Sequence, residues 1–228
     1  TRRETRVIPS HPAFASDTQP SMLARPFPYP ADGMTVKDLK AQLRNERLSA
    51  RDAMSPENRA SKSLAMADHA GEAVGFALGT IVSGFLPIRS EADLRPLMAR
   101  FAVRGARLCV PAILDRQTIV FRELAEDAPL VDTGFGTVGP SADAAILDPE
   151  IMLVPLSAFD DRGHRIGYGA GHYDRAISRL RQKGLHPKLI GIAFDCQEVA
   201  HVPDEPHDIS LDAILTESGL RFFASWIG

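Results

Sequence analysis

A glycine-rich segment in the second half of the chain has the residue types of an anion-binding loop. Between Phe159 and Asp174 the sequence reads FDDRGHRIGYGAGHYD, with glycine at three alternate positions, Gly167, Gly169 and Gly171. Glycine lets the backbone approach a ligand closely and adopt positive φ at little cost. The segment leads into a predicted helix over 173–183, and a loop that opens into a helix N-terminus presents N–H groups to phosphate.

Two charged residues flank these glycines and indicate what such a loop would bind. Arg165 offers a cation for phosphate, and Asp174 offers a carboxylate for a metal ion. The spacing is G-x-G-x-G, without the pattern of a dinucleotide fold or the Gly-Lys-Ser/Thr ending of a P-loop. Asp174 also has a structural explanation, because an acid in the first turn of a helix stabilises it by roughly 0.3–1 kcal/mol. The glycines alone are compatible with a tight turn, and the two flanking charges favour a phosphate and metal site instead.

A second candidate for anion binding lies near the start of the predicted domain. Thr35 and Asp38 have the spacing of a helix N-cap, and Lys40 and Arg44 follow on one face of that helix. Like charges four positions apart disfavour an isolated helix by about a few tenths of a kcal/mol. An anion bound between the two cations would make their proximity favourable. The alternative is that both side chains lie on a basic face exposed to solvent.

Apolar runs alternate with helical patterns along the rest of the chain. Predicted helices begin near Thr35, Ser55 and Ser90, and the long polar segment 123–147 is predicted to be a loop. Continuous apolar runs are typical of strands buried on both faces, so we predict an α/β fold with a mostly parallel sheet. The predicted strands cover 80–86, 108–113, 119–122, 151–154, 189–194 and 213–216.

Three of the polar candidates follow predicted strands. Glu91 comes after the first strand, the glycine-rich loop after the fourth, and Asp208 after the fifth. Because ligands bind at the carboxyl ends of the strands in such sheets, we expect these residues to converge on one crevice.

The composition limits the classes of protein to which the chain can belong. The chain has 228 residues, is 44% hydrophobic and carries a net charge of −3, which predicts one sizeable core and argues against a nucleic-acid binder. No apolar run is long enough to span a membrane. Cys109 and Cys196 are expected to be reduced thiols in a cytoplasmic protein. Six prolines crowd residues 1–34, which we predict to be a flexible extension before a single domain over 35–228.

Five segments, in one order along the chain, together resemble the 5-formyltetrahydrofolate cyclo-ligase (5,10-methenyltetrahydrofolate synthetase) family. The matching segments are KAQLR (40–44), FLPIRSE (85–91), the whole of 159–174, GIAFDCQ (191–197) and VPDEPHDISLDAILTE (202–217). The resemblance implies a three-layer αβα sandwich of the CoA-transferase-like type. It also implies ATP- and Mg²⁺-dependent cyclisation of 5-formyltetrahydrofolate, which carries a polyglutamate tail in some forms, to 5,10-methenyltetrahydrofolate through a phosphorylated formyl group.

The resemblance also implies roles for individual residues. Arg165 and His172 would be catalytic, although for His172 lining of the pocket is favoured over proton movement, because the mechanism does not require a protein base. Asp174 and Asp208 would hold Mg²⁺. The folate would contact Arg44, Phe85, Glu91, Tyr168 and His172. ATP would be bound by Lys40, Arg44, Arg165, Ile166, Gly167, Tyr168, Gly169, Ala170, Gly171, His172 and Tyr173.

The loop departs from the family pattern at two positions. Many members carry basic residues where this chain has Tyr168 and Ala170, so cationic contacts to phosphate have been lost. A non-catalytic nucleotide- or folate-binding relative is therefore an alternative, and an isomerase or CoA-transferase-like enzyme with the same layered fold is another. We expect a monomer or small homo-oligomer that binds neither nucleic acid nor membrane.

Overall fold

The computed structural model describes residues 34–125, 129–134, 137–205 and 208–223. The predicted extension lies outside the described residues except for Met34. The described part of the chain folds into four α-helices and twelve β-strands.

The helices begin where the sequence supplies caps. Helix α1 starts after Thr35, whose hydroxyl accepts a hydrogen bond from the Asp38 N–H in a complete capping box. Helix α2 starts after Ser55, whose hydroxyl accepts from the Asn58 N–H. Both starts agree with the prediction. The four helices are α1 (Val36–Asp52), α2 (Pro56–Ala73), α3 (Arg95–Val103) and α4 (His172–Gln182).

Eight of the strands form one sheet in the order β12-β11-β10-β7-β1-β2-β3-β6. The five strands from β11 to β2 are parallel, while β12, β3 and β6 add antiparallel edges. This sheet consists of β1 (Ile81–Ser83), β2 (Arg107–Ile113), β3 (Ile119–Glu123), β6 (Ile146–Leu147), β7 (Ile151–Pro155), β10 (Lys188–Ile192), β11 (Ala213–Thr216) and β12 (Gly219–Phe222). The predicted mostly parallel sheet is confirmed.

Alternate residues of the central strands pack against helices on opposite faces. On β7, Ile151 and Leu153 join the cluster that contains α2 and α3. Met152 and Val154 join the cluster that contains Ile177 of α4. Both faces of the sheet are therefore covered by helices, which makes the domain a three-layer αβα sandwich.

The structure corrects three details of the prediction. Ser90 does not cap α3, because its hydroxyl accepts a hydrogen bond from Arg51 and α3 begins after Leu94 without a side-chain cap. The segment 123–147 is not all loop, because it contains the hairpin of β4 (Val131–Gly134) and β5 (Thr137–Gly139) as well as β6. The sequence reading also missed the edge strand β12 and the small pair β8 (Ala158–Phe159) and β9 (Arg165–Ile166).

Candidate active site

The sheet has a topological switch point between β1 and β7. Strand β1 continues through α3 to β2 on one side, whereas β7 continues through α4 to β10 on the other. The chain therefore diverges at the carboxyl ends of these two neighbouring strands and leaves a crevice there.

A cavity of about 280 Å³ occupies this crevice. Its walls come from the segments that follow β1 and β7, from the end of β2 and from the first turn of α4. The lining residues are Phe85, Leu86, Pro87, Ile88, Glu91, Val110, Pro111, Ile113, Ile119, Val138, Pro155, Arg165, Gly167, Tyr168, Ala170, Gly171, His172, Tyr173 and Asp174. The predicted convergence of Glu91 and the glycine-rich loop is thus observed.

The glycine-rich loop presents an open helix N-terminus to the cavity. Gly171 precedes α4 with φ 66°, and no side chain caps the first turn of the helix. Gly169 has φ 97°, a value that favours glycine. A Cβ atom built on Gly167 would meet no protein atom within 4 Å. The loop therefore offers backbone N–H donors and free space, which are the features that a bound phosphate group needs.

Arg165 and Asp174 form an ion pair at the edge of this loop. The Arg165 Nη2 atom lies 2.6 Å from Asp174 Oδ1, and Arg165 Nη1 donates to the Ile209 carbonyl oxygen. The Arg165 side chain is 5% exposed, whereas that of Asp174 is 41% exposed. Asp174 is therefore the accessible member of the pair, and Arg165 also fastens the loop to the segment that contains Asp208.

Lys40 and Arg44 of α1 face the protein, so they do not form a solvated basic face. Arg44 Nε donates to the Gly167 carbonyl oxygen at 2.8 Å. Lys40 Nζ lies 2.6 Å from Asp208 Oδ2 and 2.9 Å from Glu205 Oε2. The two cations thus contact the glycine-rich loop and the acidic segment beyond β10. Neither Lys40 nor Asp208 lines the cavity itself.

The apolar wall of the cavity carries one buried carboxylate. Phe85 and Glu91 are both less than a tenth exposed. Glu91 Oε2 accepts a hydrogen bond from the Ile88 N–H at 2.9 Å. Burial raises the pKa of Glu91, while hydrogen bonds from Ile88 and Tyr168 and the charge of Arg51 act in the opposite direction. The site can therefore offer a carboxylate to N–H donors of a ligand.

His172 and Tyr173 open α4 and line the cavity. His172 Nε2 lies 3.0 Å from the Arg116 carbonyl oxygen, which orients the imidazole. The Tyr173 hydroxyl is buried and has no hydrogen-bond partner among the described residues. Burial also raises the pKa of Tyr173, so this group is a neutral donor or acceptor at the cavity wall.

Some expected site residues do not reach the cavity. Ile166 is buried and packs against Ala158 and Val202, so its side chain belongs to the core.

The two predicted metal ligands, Asp174 and Asp208, are each paired with a cation. The described residues contain no group of three or more His, Cys, Asp or Glu side chains that could hold a metal. His207, the neighbour of Asp208 in the sequence, lies outside the described residues.

Sequence reasoning missed several residues at the site. Val110, Pro111 and Ile113 come from the carboxyl end of β2, which the strand pattern could have indicated. Arg51 reaches the Tyr168 hydroxyl from the last turn of α1, and no local signal distinguished it from other arginines of that helix.

The fold and this crevice are those of a class of protein: α/β proteins with a ligand crevice at the carboxyl edge of a parallel sheet. The family model described as "5-formyltetrahydrofolate cyclo-ligase family" matches residues 36–217. The chain belongs to the 5-formyltetrahydrofolate cyclo-ligase family and is an enzyme of that class.

Individual relatives agree with the family match. The 5-formyltetrahydrofolate cyclo-ligase of Escherichia coli K12 is 31% identical over 143 residues, which are 60% of this chain and 78% of the relative. That of Mycolicibacterium smegmatis is 28% identical over 191 residues, which are 78% and 93% of the two chains. The NMR structure of Aquifex aeolicus 5,10-methenyltetrahydrofolate synthetase superposes with a TM-score of 0.70 at 27% identity, covering 83% of this chain and 95% of that one.

None of the helices that the structure describes combines the length and the apolar character that crossing a bilayer requires.

Proposed function

We propose that this enzyme converts 5-formyltetrahydrofolate to 5,10-methenyltetrahydrofolate with consumption of ATP and release of ADP and phosphate. The observation that carries the proposal is the continuity of two chemically different surfaces in one crevice. An apolar wall with a buried carboxylate, at Phe85 and Glu91, faces a glycine-rich loop with an uncapped helix N-terminus. The first surface suits a heterocycle with N–H donors, and the second suits phosphate groups.

The phosphate part of the proposal rests on donors that the fold already aligns. The N-terminus of α4 carries a partial positive charge, and the space beside Gly167 lets a ligand approach the backbone. Arg44 holds the Gly167 carbonyl oxygen and so fixes the loop from α1. These contacts support ATP binding by the loop from Arg165 to Tyr173, together with Lys40 and Arg44, although Tyr168 and Ala170 supply no cations.

The donor set fits Mg²⁺ through Asp174 and, less directly, Asp208. Mg²⁺ is usually held by one or two carboxylates together with phosphate oxygens and water, so a preformed protein cage is not required. Asp174 lines the cavity and is 41% exposed. Asp208 is tied to Lys40 at 2.6 Å and would need that ion pair to open. When bound, Mg²⁺ supplies charge neutralisation on the phosphate oxygens.

The chemistry that we propose needs orientation more than a protein base. The formyl oxygen attacks the γ-phosphorus of ATP and ADP leaves. The N10 nitrogen then attacks the activated formyl carbon and loses its proton to the departing phosphate or to water, and phosphate leaves as the methenyl bridge forms. Orientation of two bound reactants can lower a barrier by roughly 7–11 kcal/mol. In this proposal Arg165, which lines the cavity, stabilises phosphoryl charge. His172, anchored to the Arg116 carbonyl oxygen, lines the pocket or assists proton movement.

A single assay tests this function. The protein is incubated with 5-formyltetrahydrofolate and MgATP, and the near-ultraviolet absorbance of the methenyl product is followed. We expect a rise that requires both ATP and Mg²⁺. No ATP-dependent rise would leave the non-catalytic relative as the better hypothesis, and folate or nucleotide binding without turnover would establish it. Turnover without ATP would favour isomerase or CoA-transferase-like chemistry.

The proposal extends to the setting of the reaction. Both cysteines of the chain are free thiols in the structure, Cys109 buried and Cys196 partly so. Free thiols suit a reducing compartment, which supports a cytoplasmic location. The chain would act as a monomer or small homo-oligomer on a small-molecule substrate, with or without a polyglutamate tail.

A further inference from the structure

Arg51 is a buried cation next to the cavity. It lies in the last turn of α1 and is 3% exposed. No carboxylate of the described residues lies within ion-pair distance of its guanidinium. A buried charge without a direct counter-ion lowers the stability of the fold, so the burial of Arg51 calls for a specific explanation.

The guanidinium of Arg51 connects the two walls of the cavity. Its Nη1 atom donates to the Tyr168 hydroxyl at 2.6 Å, and its Nε atom donates to Ser90 Oγ at 2.9 Å. Ser90 in turn donates to Asp52. Tyr168 belongs to the glycine-rich loop, and Ser90 immediately precedes Glu91. One side chain of α1 therefore sets the position of the loop relative to the carboxylate-bearing segment.

The Tyr168 hydroxyl accepts a hydrogen bond from Arg51 and lines the same cavity as Glu91. Because Arg51 uses this hydroxyl as an acceptor, its single proton is available to the Glu91 carboxylate, whose pKa Tyr168 lowers. The charge of Arg51 and the two hydrogen bonds to Glu91 oppose the burial that raises the pKa of this carboxyl. Tyr173 of α4 also interacts with Glu91, and burial raises its pKa, so it stays neutral. The other charged or titratable side chains that line the same cavity are Arg165, His172 and Asp174.

We propose that Arg51 is a positioning residue, which acts through the Tyr168 hydroxyl to keep Glu91 negatively charged and directed at the N–H donors of the folate ring. This inference rests on the proposed function. It gives Tyr168 a role that a basic residue at the same loop position would not fill, because a tyrosine can accept from Arg51 and donate to Glu91 at once.

The test compares Arg51→Gln and Tyr168→Phe with wild type across pH. Turnover is measured as the amount of ADP released. This readout is chosen because it does not depend on a chromophore whose absorbance could vary with pH. The acid limb of kcat/KM for the folate reports the ionisation of the free enzyme. Activity falls as Glu91 becomes protonated. Arg51 and Tyr168 lower the pKa of Glu91, so loss of either residue should raise that pKa and move the acid limb to higher pH. We expect a shift of about one unit, the lower end of what a neighbouring opposite charge produces.

The expected changes separate positioning from simple structural support. The KM for the folate should rise in both variants, while the KM for ATP stays within about twofold of wild type. Arg51→Lys keeps the positive charge, so its acid limb should lie between those of Arg51→Gln and wild type. Arg47→Gln is the matched control, because Arg47 lies on the same helix and contacts the Cys196 carbonyl oxygen at 3.2 Å, away from Glu91. It should leave the limb in place.

Failure of this inference is distinguishable from failure of the proposed function. If wild type releases no ADP in the presence of the folate, the proposed function is wrong. If wild type is active but Tyr168→Phe keeps the wild-type acid limb and folate KM, the relay through Tyr168 is wrong. This variant removes one oxygen atom from a loop residue that is 39% exposed, so it remains informative even if Arg51→Gln does not fold.

Discussion

The Tyr173 hydroxyl shows how a single atom can favour binding at the expense of stability. It is buried at the cavity wall without a hydrogen-bond partner among the described residues, while its ring lies edge-on to Phe121 at 6.5 Å. An unsatisfied buried polar group costs about 1–3 kcal/mol. A bound ligand that pairs with the hydroxyl would remove that cost.

We therefore predict that Tyr173→Phe stabilises the free protein and weakens substrate binding. The free energy of unfolding in urea, without ligands, should rise by about 1 kcal/mol, because the ring and its packing are kept. The KM for at least one substrate should rise. A loss of stability with unchanged KM values would mean that the hydroxyl has a partner inside the protein.

Gly167 offers a second prediction at the scale of one residue. Its φ is not positive, and an added Cβ would meet no protein atom within 4 Å, so Gly167→Ala should keep or raise stability by about 0.4–1 kcal/mol. The new methyl group would occupy the space beside the loop, so the KM for ATP should rise by roughly tenfold or more. Kinetics and urea unfolding measure the two effects.

Gly75→Ala is the matched control, since Gly75 also has open space around its Cβ direction but lies before β1, at the opposite edge of the sheet. It should change neither KM. An unchanged ATP KM in Gly167→Ala would argue that the phosphates do not approach this part of the loop.

Residues whose role is local could be predicted from the sequence, and residues whose role is tertiary could not. Thr35 and Asp38 form the predicted capping box, because both partners lie within one turn. Ser90 has the same local signature, yet its hydroxyl is bound by Arg51, 39 positions away. The contact of Lys40 with Asp208 spans 168 positions. Neither the Ser90–Arg51 pair nor the Lys40–Asp208 pair lies within a stretch of sequence short enough for a local pattern to reveal it.

At the scale of elements, α1 acts as a support for the site. Lys40, Arg44 and Arg51 lie along its inward face and contact the segment around Asp208, the glycine-rich loop and the segment after β1. The orientation of this helix therefore controls several parts of the crevice together. Helix α2, in contrast, packs on the sheet as part of the core.

The caps of these two helices allow a paired prediction. Thr35→Ala and Ser55→Ala each remove one side-chain cap, so each should lower the free energy of unfolding by about 1 kcal/mol. Only Thr35→Ala should also raise the KM for ATP, because α1 carries Lys40 and Arg44. Denaturant unfolding and steady-state kinetics test both variants. Equal effects on KM would show that α1 has no special part in nucleotide binding.

Elements with weak patterns were the ones that sequence reasoning missed. Strand β12 is half exposed and short, and it is held by pairing with β11 in a hairpin that starts at Gly219. The β4–β5 hairpin lies in a polar segment, yet Val138 from it reaches the cavity. Such strands are specified by their partners, so an isolated reading of their residues cannot find them.

At the scale of the whole molecule, the position of the crevice follows from the order of strands. Continuous apolar runs predicted the parallel sheet, and Ile151–Pro155 shows why, since its successive residues are buried on alternate faces. The sequence predicted that ligands bind at the carboxyl ends of strands, but it did not give the strand order. The switch point between β1 and β7 emerges only when the sheet is assembled.

The last prediction concerns the boundary of the functional unit. The family match begins at residue 36, and α1 begins at Val36 with its cap at Thr35. Deleting residues 1–34 keeps this cap and every residue of the proposed site, so kcat, both KM values and the free energy of unfolding should stay near those of the full chain. A further deletion through Asp38 would remove the capping box and the first turn of α1, and it should lower stability and raise the KM for ATP, because Lys40 then lies at a frayed end. An inactive 35–228 protein that still unfolds cooperatively would instead assign the extension a direct part in the reaction.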